Sequence, residues 1–252
     1  MSDSTRAFAI LLDGPMQSWG SSSRFTRRET EAFPTKSALI GLLAAAAGID
    51  KYGPDEAKLL APFSALRLTV YRLPRGGKLT QRLSDFHTVG GGYDAKASAF
   101  DKMSIPHKAS GGPGANAVIT HRTYLTGACF IAAFEGSGAV VAAAVRHLEN
   151  PLWGVWFGRK TCLPAMPLSP VDATDSHAAA GALLTRIQCW EEATGKAALP
   201  PGLDPTSLER WEEPAPGITS PGDFHLQDQP LSYGQREFHS RPVHHYRTGS
   251  DL

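Results

Sequence analysis

The motif GPMQSWG, at residues 14–20, combines side chains that are suited to contacting RNA. The Gln17 amide can form hydrogen bonds, and we expect the indole of Trp19 to be exposed; Arg24 follows shortly after. Bases of single-stranded RNA stack on aromatic rings, and their phosphates pair with arginine. We therefore predict Gln17, Trp19 and Arg24 as RNA contacts. The alternative is a surface loop with a half-buried tryptophan.

The motif FPTKS, at residues 33–37, places Lys36 and Ser37 at the predicted start of a helix. Free backbone N–H groups and the helix dipole favour an anion at such a position, so a phosphate is the predicted ligand. The glycines of the GxxxxGK[ST] loop are missing, which disfavours nucleotide hydrolysis. The alternative is an ordinary capped helix start.

Two further motifs place basic and aromatic residues beside predicted strands: HRTYL at residues 121–125 and FGRKT at residues 157–161. Gly158 permits a close approach of backbone, and the charges next to it can hold phosphates. The alternative is a turn with solvated basic side chains. As RNA contacts we predict His121, Arg122, Tyr124, Arg159 and Lys160.

Acid–base and metal chemistry are both disfavoured. Asp85 lies two residues before His87 and could orient it, but no serine or cysteine nucleophile with triad context is evident. We take His87 as an RNA or packing contact. The three cysteines, Cys129, Cys162 and Cys189, lack the spacing of metal ligands and are predicted to be reduced thiols. We expect no catalytic residue, metal or cofactor.

The elements that must position these residues repeat a β-α-β order. Apolar alternation predicts strands, and apolar runs that end at glycine predict helices. Two such units predict an α+β, ferredoxin-like fold, which RNA-recognition modules also use. The predicted strands are residues 6–13, 66–73, 124–134 and 152–157, and the predicted helices are residues 34–48 and 137–148.

Two regions depart from this plan. Residues 74–121 are rich in glycine, and residues 72–122 hold eight Lys or Arg against three Asp, which predicts a long basic β-hairpin inserted into a domain of residues 1–167. Residues 168–252 are punctuated by prolines and acids, and we predict an irregular C-terminal appendage with a helix or strand at residues 181–192. The acidic part of this appendage is not expected to face RNA.

Composition places the chain among ordinary globular proteins, with 252 residues and a net charge of +1. No secretory leader is visible, and the most apolar stretch, residues 38–49, is shorter than the roughly 20 residues that cross a bilayer. We expect a cytoplasmic protein without a membrane partner.

The order of the motifs resembles the CRISPR-associated family-five proteins of subtype I-E. GPMQSWG, FPTKSALIGLLAAAAG, DFHT, HRTYL and FGRKTCLPAMPL follow each other in the family's order over residues 8–167. The resemblance implies a ferredoxin-like domain with a projecting thumb. It also implies that this subunit binds and caps the 5′ handle of the guide RNA (crRNA) in Cascade. It also implies contacts with the family-seven backbone and large subunits. The matching handle-binding positions are Lys36, Ser37, His87, Arg122, Tyr124, Arg159 and Lys160.

The resemblance also leaves an enzymatic alternative. The related subtype I-C member cleaves its precursor RNA without metal by means of Tyr, Lys and His side chains. Tyr93, Lys96, His107 and His121 are loose equivalents here. The motifs favour subtype I-E, in which a separate enzyme cuts, so the prediction is a non-catalytic subunit in antiviral defence.

Overall fold

The computed structural model describes residues 4–21, 26–75, 79–89, 96, 98, 117–195, 199–220 and 222–247. The elements, in chain order, are strands and helices β1 (Thr5–Asp13), β2 (Met16–Gln17), β3 (Arg27–Arg28), α1 (Lys36–Ala47), α2 (Glu56–Ser64), β4 (Arg67–Arg72), β5 (Gln81–Val89), β6 (Val118–Thr126), β7 (Cys129–Ser137), α3 (Gly138–Glu149), β8 (Val171–Ala173), α4 (Ser176–Thr194), β9 (Arg210–Glu212), β10 (Phe224–Ser232) and β11 (Glu237–Tyr246).

A seven-stranded sheet carries the core, with strand order β10-β11-β9-β4-β7-β1-β8. β1 pairs antiparallel with β7 and with β8, and β4 pairs antiparallel with β7. Helix α1 follows β1, and α3 connects β7 to β8. The predicted strands at residues 6–13 and 66–73 and the predicted helices at residues 34–48 and 137–148 are confirmed as β1, β4, α1 and α3.

Successive side chains of each strand point to opposite faces of this sheet, and helices pack against both faces. Phe8, Ile10 and Leu12 of β1 share one buried cluster with residues of α1 and α3. Ala7 and Ala9, which point the other way, share a second cluster with α4. The small alanines let α4 pack closely on its face. At β1 and β7, therefore, neither face is open in the way that an RNA-recognition sheet is.

A long ribbon links this sheet to a second, smaller one. β2 pairs with the end of β6, just as β1 pairs with β7, so the two paired segments bend together at Gly14 and Gly127. Gly127 has φ +68°, which divides the single strand predicted at residues 124–134 into β6 and β7. β6 also pairs antiparallel with β5 and parallel with β3. β5 and the first residues of β6 lie within the predicted insertion, but the pair continues beyond residue 121 to the end of β6 at Thr126. Most of residues 90–116 lie outside the described residues.

The prediction of an irregular C-terminal appendage is wrong. β8, α4, β9, β10 and β11 all lie after residue 168, and the four strands belong to the seven-stranded sheet. Trp211 of β9 anchors them, because its ring stacks on Phe33 at 4.6 Å and on His245 at 4.8 Å between ring centroids. Helix α4 begins at a cap, where Asp175 accepts a hydrogen bond from the Ala178 N–H at 2.9 Å. How the chain divides into domains stays a prediction.

The strand predicted at residues 152–157 is also wrong, and β8 pairs with β1 in its place. The backbone N–H groups of Leu152 and Trp153 donate to the carbonyls of Ala46 and Ala45 at 2.8 and 3.2 Å. The Ala46 carbonyl at the end of α1 is thereby satisfied, and the Ala45 carbonyl, which also accepts from the Gly48 N–H at 3.1 Å, gains a second donor. The two N–H groups are therefore not available for a strand ladder. In the described part of the chain, no helix has the length and apolarity that crossing a membrane requires.

Candidate nucleic-acid interface

A half-open pocket of about 330 Å³ lies between the first half of α1, the turn at residues 156–159 and the turn that joins β10 to β11. We call it the basic pocket. Its charged lining residues are Arg28 and Arg159, and its aromatic ones are Trp156, Tyr233 and Phe238. The remaining lining residues are small or apolar: Ser18, Gly20, Ser37, Ala38, Gly41, Leu42 and Gly158.

The turn at Gly158 holds one wall of the pocket against the loop after β2. Gly158 has φ +89°, and a Cβ atom there would lie 1.7 Å from the Ser18 carbonyl oxygen. Next to this contact, the Ser18 N–H donates to the Phe157 carbonyl at 3.0 Å. Only glycine combines this backbone conformation with so close an approach.

Arg159 connects three parts of the interface. Its guanidinium donates to the carbonyls of Thr123 at 2.8 Å and Arg28 at 2.6 Å, and it lies 4.7 Å above the ring of Tyr124. No carboxylate of the described residues forms an ion pair with Arg159, so its positive charge remains part of the pocket's field. Tyr124 itself is buried beneath it. Arg159 therefore positions β3 and β6 as well as supplying charge.

The aromatic wall comes from the C-terminal region. The Tyr233 hydroxyl donates to the Ser37 carbonyl at 2.5 Å, and burial raises the pKa of this hydroxyl well above its usual value, which keeps it protonated. The Tyr233 N–H donates to the Glu56 carboxylate at 2.6 Å. The rings of Tyr233 and Phe238 meet edge to face at 6.1 Å. These contacts fix the β10–β11 turn against the start of α1.

The helix N-terminus does not present the predicted phosphate site. The Lys36 N–H donates to an Asp228 carboxylate oxygen at 2.7 Å, so an anion from the protein already occupies this position. The Lys36 ammonium is buried and pairs with Glu213 at 2.8 Å. Burial lowers the pKa of Lys36, and Glu213 opposes this shift. Lys36 therefore faces the core, whereas Ser37 lines the basic pocket.

Arg241 completes a buried cluster of four charges with Lys36, Glu213 and Asp228. The Arg241 guanidinium contacts the Asp228 carboxylate at 2.7 and 3.0 Å, and it lies 3.7 Å from Glu213. Two cations thus balance two anions at a site almost closed to water, in which the Glu213 side chain is 13% exposed and the other three are buried. Two acids of the C-terminal region, Glu213 and Asp228, therefore neutralise buried cations. The sequence alone did not indicate the Lys36–Glu213 pair, because these two residues lie far apart in the chain.

The expectation that Trp19 is exposed is wrong. Gln17 and Trp19 are completely buried, and the indole N–H donates to the Gln17 amide oxygen at 3.0 Å. The Gln17 amide NH₂ donates to the carbonyls of Leu12 and Ala128 at 2.9 and 3.0 Å, where the ribbon bends. Both side chains thus stabilise the bend beneath the interface, and neither is accessible to RNA in this conformation.

The other predicted contacts lie on the second sheet, except for Lys160, which lies in a turn. Arg122 lies opposite Arg28 in the β3–β6 pairing, which extends the basic surface beyond the pocket. The Lys160 ammonium lies 5.4 Å above the Trp156 ring. His87 and His121 are exposed but lie on opposite faces, because His87 pairs with Thr120 and His121 with Phe86. The structure therefore does not bring the two histidines together.

Some predicted positions lie outside the described residues. These are Arg24 and, for the enzymatic alternative, Tyr93 and His107. The sequence analysis did not predict Trp156, Tyr233 and Phe238. Trp156 directly precedes the basic FGRK motif, and this position is a signal that could have indicated it. The two C-terminal aromatics carried no local signal.

Metal chemistry finds no support in the described residues, where no group of three or more His, Cys, Asp or Glu side chains converges. Cys129 and Cys162 are buried, and Cys189 is exposed. Burial raises the pKa of the Cys129 thiol to about 12 and also raises that of Cys162. Both buried thiols are therefore protonated at neutral pH.

Known proteins resemble this chain in sequence and in fold. The family model for CRISPR-associated protein (Cas_Cas5) matches residues 8–244. The CRISPR system Cascade subunit CasD of Escherichia coli (strain K12) is 29% identical over 172 residues, which cover 65% of this chain and 70% of that protein.

Two solved structures share the architecture of antiparallel sheets and helices. A chain of a CRISPR RNA-guided surveillance complex has a TM-score of 0.65 and 25% identity, with 96% of this chain and 90% of that chain covered. The crystal structure of a Cas protein has a TM-score of 0.55 and 25% identity, with 96% and 94% covered.

Proposed function

Since this chain belongs to the Cas5 family of CRISPR-associated proteins, we propose that its basic pocket holds the 5′ handle of a CRISPR guide RNA. In this proposal the chain is a non-catalytic subunit of a type I-E Cascade complex in the cytoplasm. It caps one end of the assembly and contacts the family-seven backbone and large subunits, in antiviral defence. The similarity to the Cascade subunit CasD supports this assignment.

The single observation that carries the proposal is the convergence of two guanidinium groups and three aromatic rings in one pocket. Guanidinium groups pair with phosphates, and aromatic rings stack on unpaired bases, so the combination suits a single strand. Arg122 and Lys160 extend the same charge beside the pocket. A short, unpaired RNA end fits this surface better than a duplex.

The strand order also supports a ferredoxin-like core with a thumb. β1, α1, β4, β7, α3 and β8 follow each other in the chain, and their strands lie in the order β4-β7-β1-β8. We propose that β5 and the first residues of β6 form the base of a thumb over residues 74–121, which reaches a neighbouring backbone subunit. Because helices cover both faces of the sheet at β1 and β7, RNA would bind at the end of these strands rather than on a face.

The enzymatic alternative makes a different prediction. A metal-independent endoribonuclease would convert repeat RNA into a product with a discrete 5′ handle. Among the described residues that line the basic pocket there is no histidine, and those pocket residues offer no acid–base pair. Incubation of the purified chain with repeat RNA, with and without magnesium, should leave the RNA intact. A discrete product would assign the cleavage role instead.

Co-purification tests the proposal itself. The chain is expressed with the CRISPR-associated subunits encoded beside it and with a repeat-containing RNA, and the bound RNA is sequenced at its ends. We expect short RNAs of uniform 5′ end that become ragged at that end when this chain is omitted. An unchanged 5′ end without the chain would contradict the capping role.

A further inference from the structure

A second cavity, of about 280 Å³, lies under α4 on the face of the large sheet away from α1. We call it the apolar pocket. Leu11 of β1 and Cys129 of β7 form its floor, and Leu183 and Ile187 of α4 form one wall. At its mouth, Trp190 is 45% exposed, although a tryptophan is costly to leave in water. The pocket is thus apolar inside and open outside.

Of the four charged side chains that line this pocket, Arg186 forms no ion pair with an acid of the described residues. Arg75 and Asp13 form an ion pair with each other, and the Glu191 carboxylate accepts a hydrogen bond from the Leu199 N–H at 3.0 Å. Arg186, by contrast, donates to the Ser169 carbonyl, and no acid of the described residues forms an ion pair with it. Burial lowers the pKa of Arg186. One guanidinium at the mouth therefore lacks a countercharge.

The size and lining of the pocket favour a protein side chain as the occupant. Its volume lies just below the roughly 300–1,000 Å³ of small-molecule sites. Its aliphatic walls offer few donors or acceptors for the edges of a base. Its lining holds two acids, Asp13 and Glu191, and two arginines, Arg75 and Arg186, so it has no net positive charge to attract the phosphates of a nucleic acid. A tryptophan beside an arginine at the mouth of an apolar cavity has the composition of a protein–protein hot spot.

We propose that the apolar pocket receives one aliphatic or aromatic side chain of a neighbouring protein subunit, and that an adjacent Asp or Glu of that subunit pairs with Arg186. The inference rests on the proposed membership of a multisubunit complex. It adds a protein-docking site beside α4, separate from the basic pocket beside α1, so that a single chain holds the RNA end and a partner subunit at different places.

Crosslinking from position 190 identifies the occupant. Trp190 is replaced by the photoreactive p-benzoylphenylalanine in the complex assembled from the subunits encoded beside this chain, with guide RNA present. We expect one predominant crosslinked peptide, from a protein subunit, with an apolar residue within about two positions of Asp or Glu. The proposal would be overturned by crosslinks to RNA or by crosslinks to a peptide without Asp or Glu. It would also be overturned if the yield of crosslinks were no higher than with the same photoreactive residue at position 153.

Matched variants measure the contribution of each group. Trp190→Ala and Arg186→Glu should each raise the Kd for the crosslinked subunit about tenfold or more, as hot-spot residues do. Trp153→Ala is the control for the first, since Trp153 is 44% exposed elsewhere on the surface, and Arg146→Glu on α3 is the control for the second. A charge reversal of the partner's acid should restore binding to Arg186→Glu. Equal Kd values for variants and controls would overturn the proposal.

Binding of handle RNA separates this inference from the proposed function. Trp190→Ala and Arg186→Glu should bind the RNA as the wild type does, because both residues lie away from the basic pocket. If the wild-type chain binds its partner through position 190 but binds no handle RNA, the proposed function fails and the docking site stands. If handle RNA binds, and neither variant changes the Kd for the partner subunit, the docking site is wrong and the proposed function stands.

Discussion

The Asp228 carboxylate accepts a hydrogen bond at 2.7 Å from the backbone N–H of Lys36, a residue 192 positions earlier in the chain. This contact caps α1 from the last part of the sequence and holds Ser37 and Tyr233 in one place. Arg241 in turn orients the carboxylate through two hydrogen bonds. The shape of the basic pocket therefore depends on a buried charge cluster behind it.

The first prediction concerns this cluster. Asp228→Ala removes the cap of α1 and leaves Arg241 and Lys36 with one buried carboxylate between them. We expect the free energy of unfolding to fall by about 3–5 kcal/mol, as for other broken buried pairs. Urea unfolding followed by circular dichroism measures this loss.

Asp172→Ala is the matched control. Asp172 pairs with Arg6, and their side chains are 59% and 41% exposed. Loss of such a surface pair should cost about 1 kcal/mol or less. Equal losses for the two variants would show that the buried cluster does not carry the stability assigned to it.

The second prediction concerns the turn beneath the basic pocket. Gly158→Ala would place a Cβ atom on the Ser18 carbonyl oxygen, so the loop after β2 must move away. We expect a loss of RNA affinity together with a lower Tm. Gly217→Ala isolates the cost of backbone strain alone, since Gly217 has φ +81° and nothing lies within 4 Å of its added Cβ. That control should lose about 1–2 kcal/mol of stability and keep its RNA affinity. If both variants keep full affinity, the close approach does not shape the interface.

The third prediction concerns the charge of the pocket. Arg28 is exposed and lines the pocket, so Arg28→Ala should remove one phosphate contact without unfolding the protein. The slope of log affinity against log salt should flatten by about 0.7, the value for one contact with a single strand. Fluorescence anisotropy with labelled handle RNA across a salt series measures this slope. Arg146→Ala, on the exposed side of α3, is the control and should leave the slope at the wild-type value. If Arg28→Ala also leaves the slope unchanged, Arg28 does not contact the RNA.

The fourth prediction concerns base stacking on Trp156. Trp156→Ala should weaken the binding of handle RNA by about 1–3 kcal/mol and leave the salt slope unchanged, because stacking releases no counterions. Trp156→Phe keeps an aromatic face and should retain most of the affinity. Trp153→Ala is the control of the same residue type. An affinity loss in the phenylalanine variant as large as in the alanine variant would indicate a structural role instead of stacking.

Local signals made β1, α1, β4 and α3 predictable from sequence. Helix α1, for example, ends where Gly48 adopts φ +72°, a conformation that glycine favours. The roles of Lys36 and Trp19 were not predictable in the same way. A lysine at a helix start is consistent with a phosphate ligand until the structure places Glu213 and Asp228 around it. An indole after a turn is consistent with exposure until Gln17 is found to satisfy its N–H.

The C-terminal region was misread for a related reason. Prolines and acids predict an irregular appendage, yet β9 pairs with β4, which lies far away in the sequence, and β11 and β10 extend the sheet from β9. Acids in or next to these strands pair with cations that lie far away in the sequence or on a neighbouring strand. The pairs are Glu213 with Lys36, Glu209 with Arg72 and Asp228 with Arg241. Tyr233 and Phe238 reach the basic pocket by the same long-range pairing. Motif order could identify the family, but it could not supply these contacts.

Site-specific crosslinking of the guide RNA tests the central claim most directly. A single photoreactive 4-thiouridine is placed either in the 5′ handle or near the 3′ end of the guide, and each RNA is assembled with the full set of subunits. Crosslinked peptides are then identified by mass spectrometry. We predict that the handle probe crosslinks to peptides of this chain that contain Trp156, Tyr233 or Phe238, and that the 3′ probe does not. Handle crosslinks that lie only on other subunits, or equal labelling of these peptides from the 3′ end, would contradict the account.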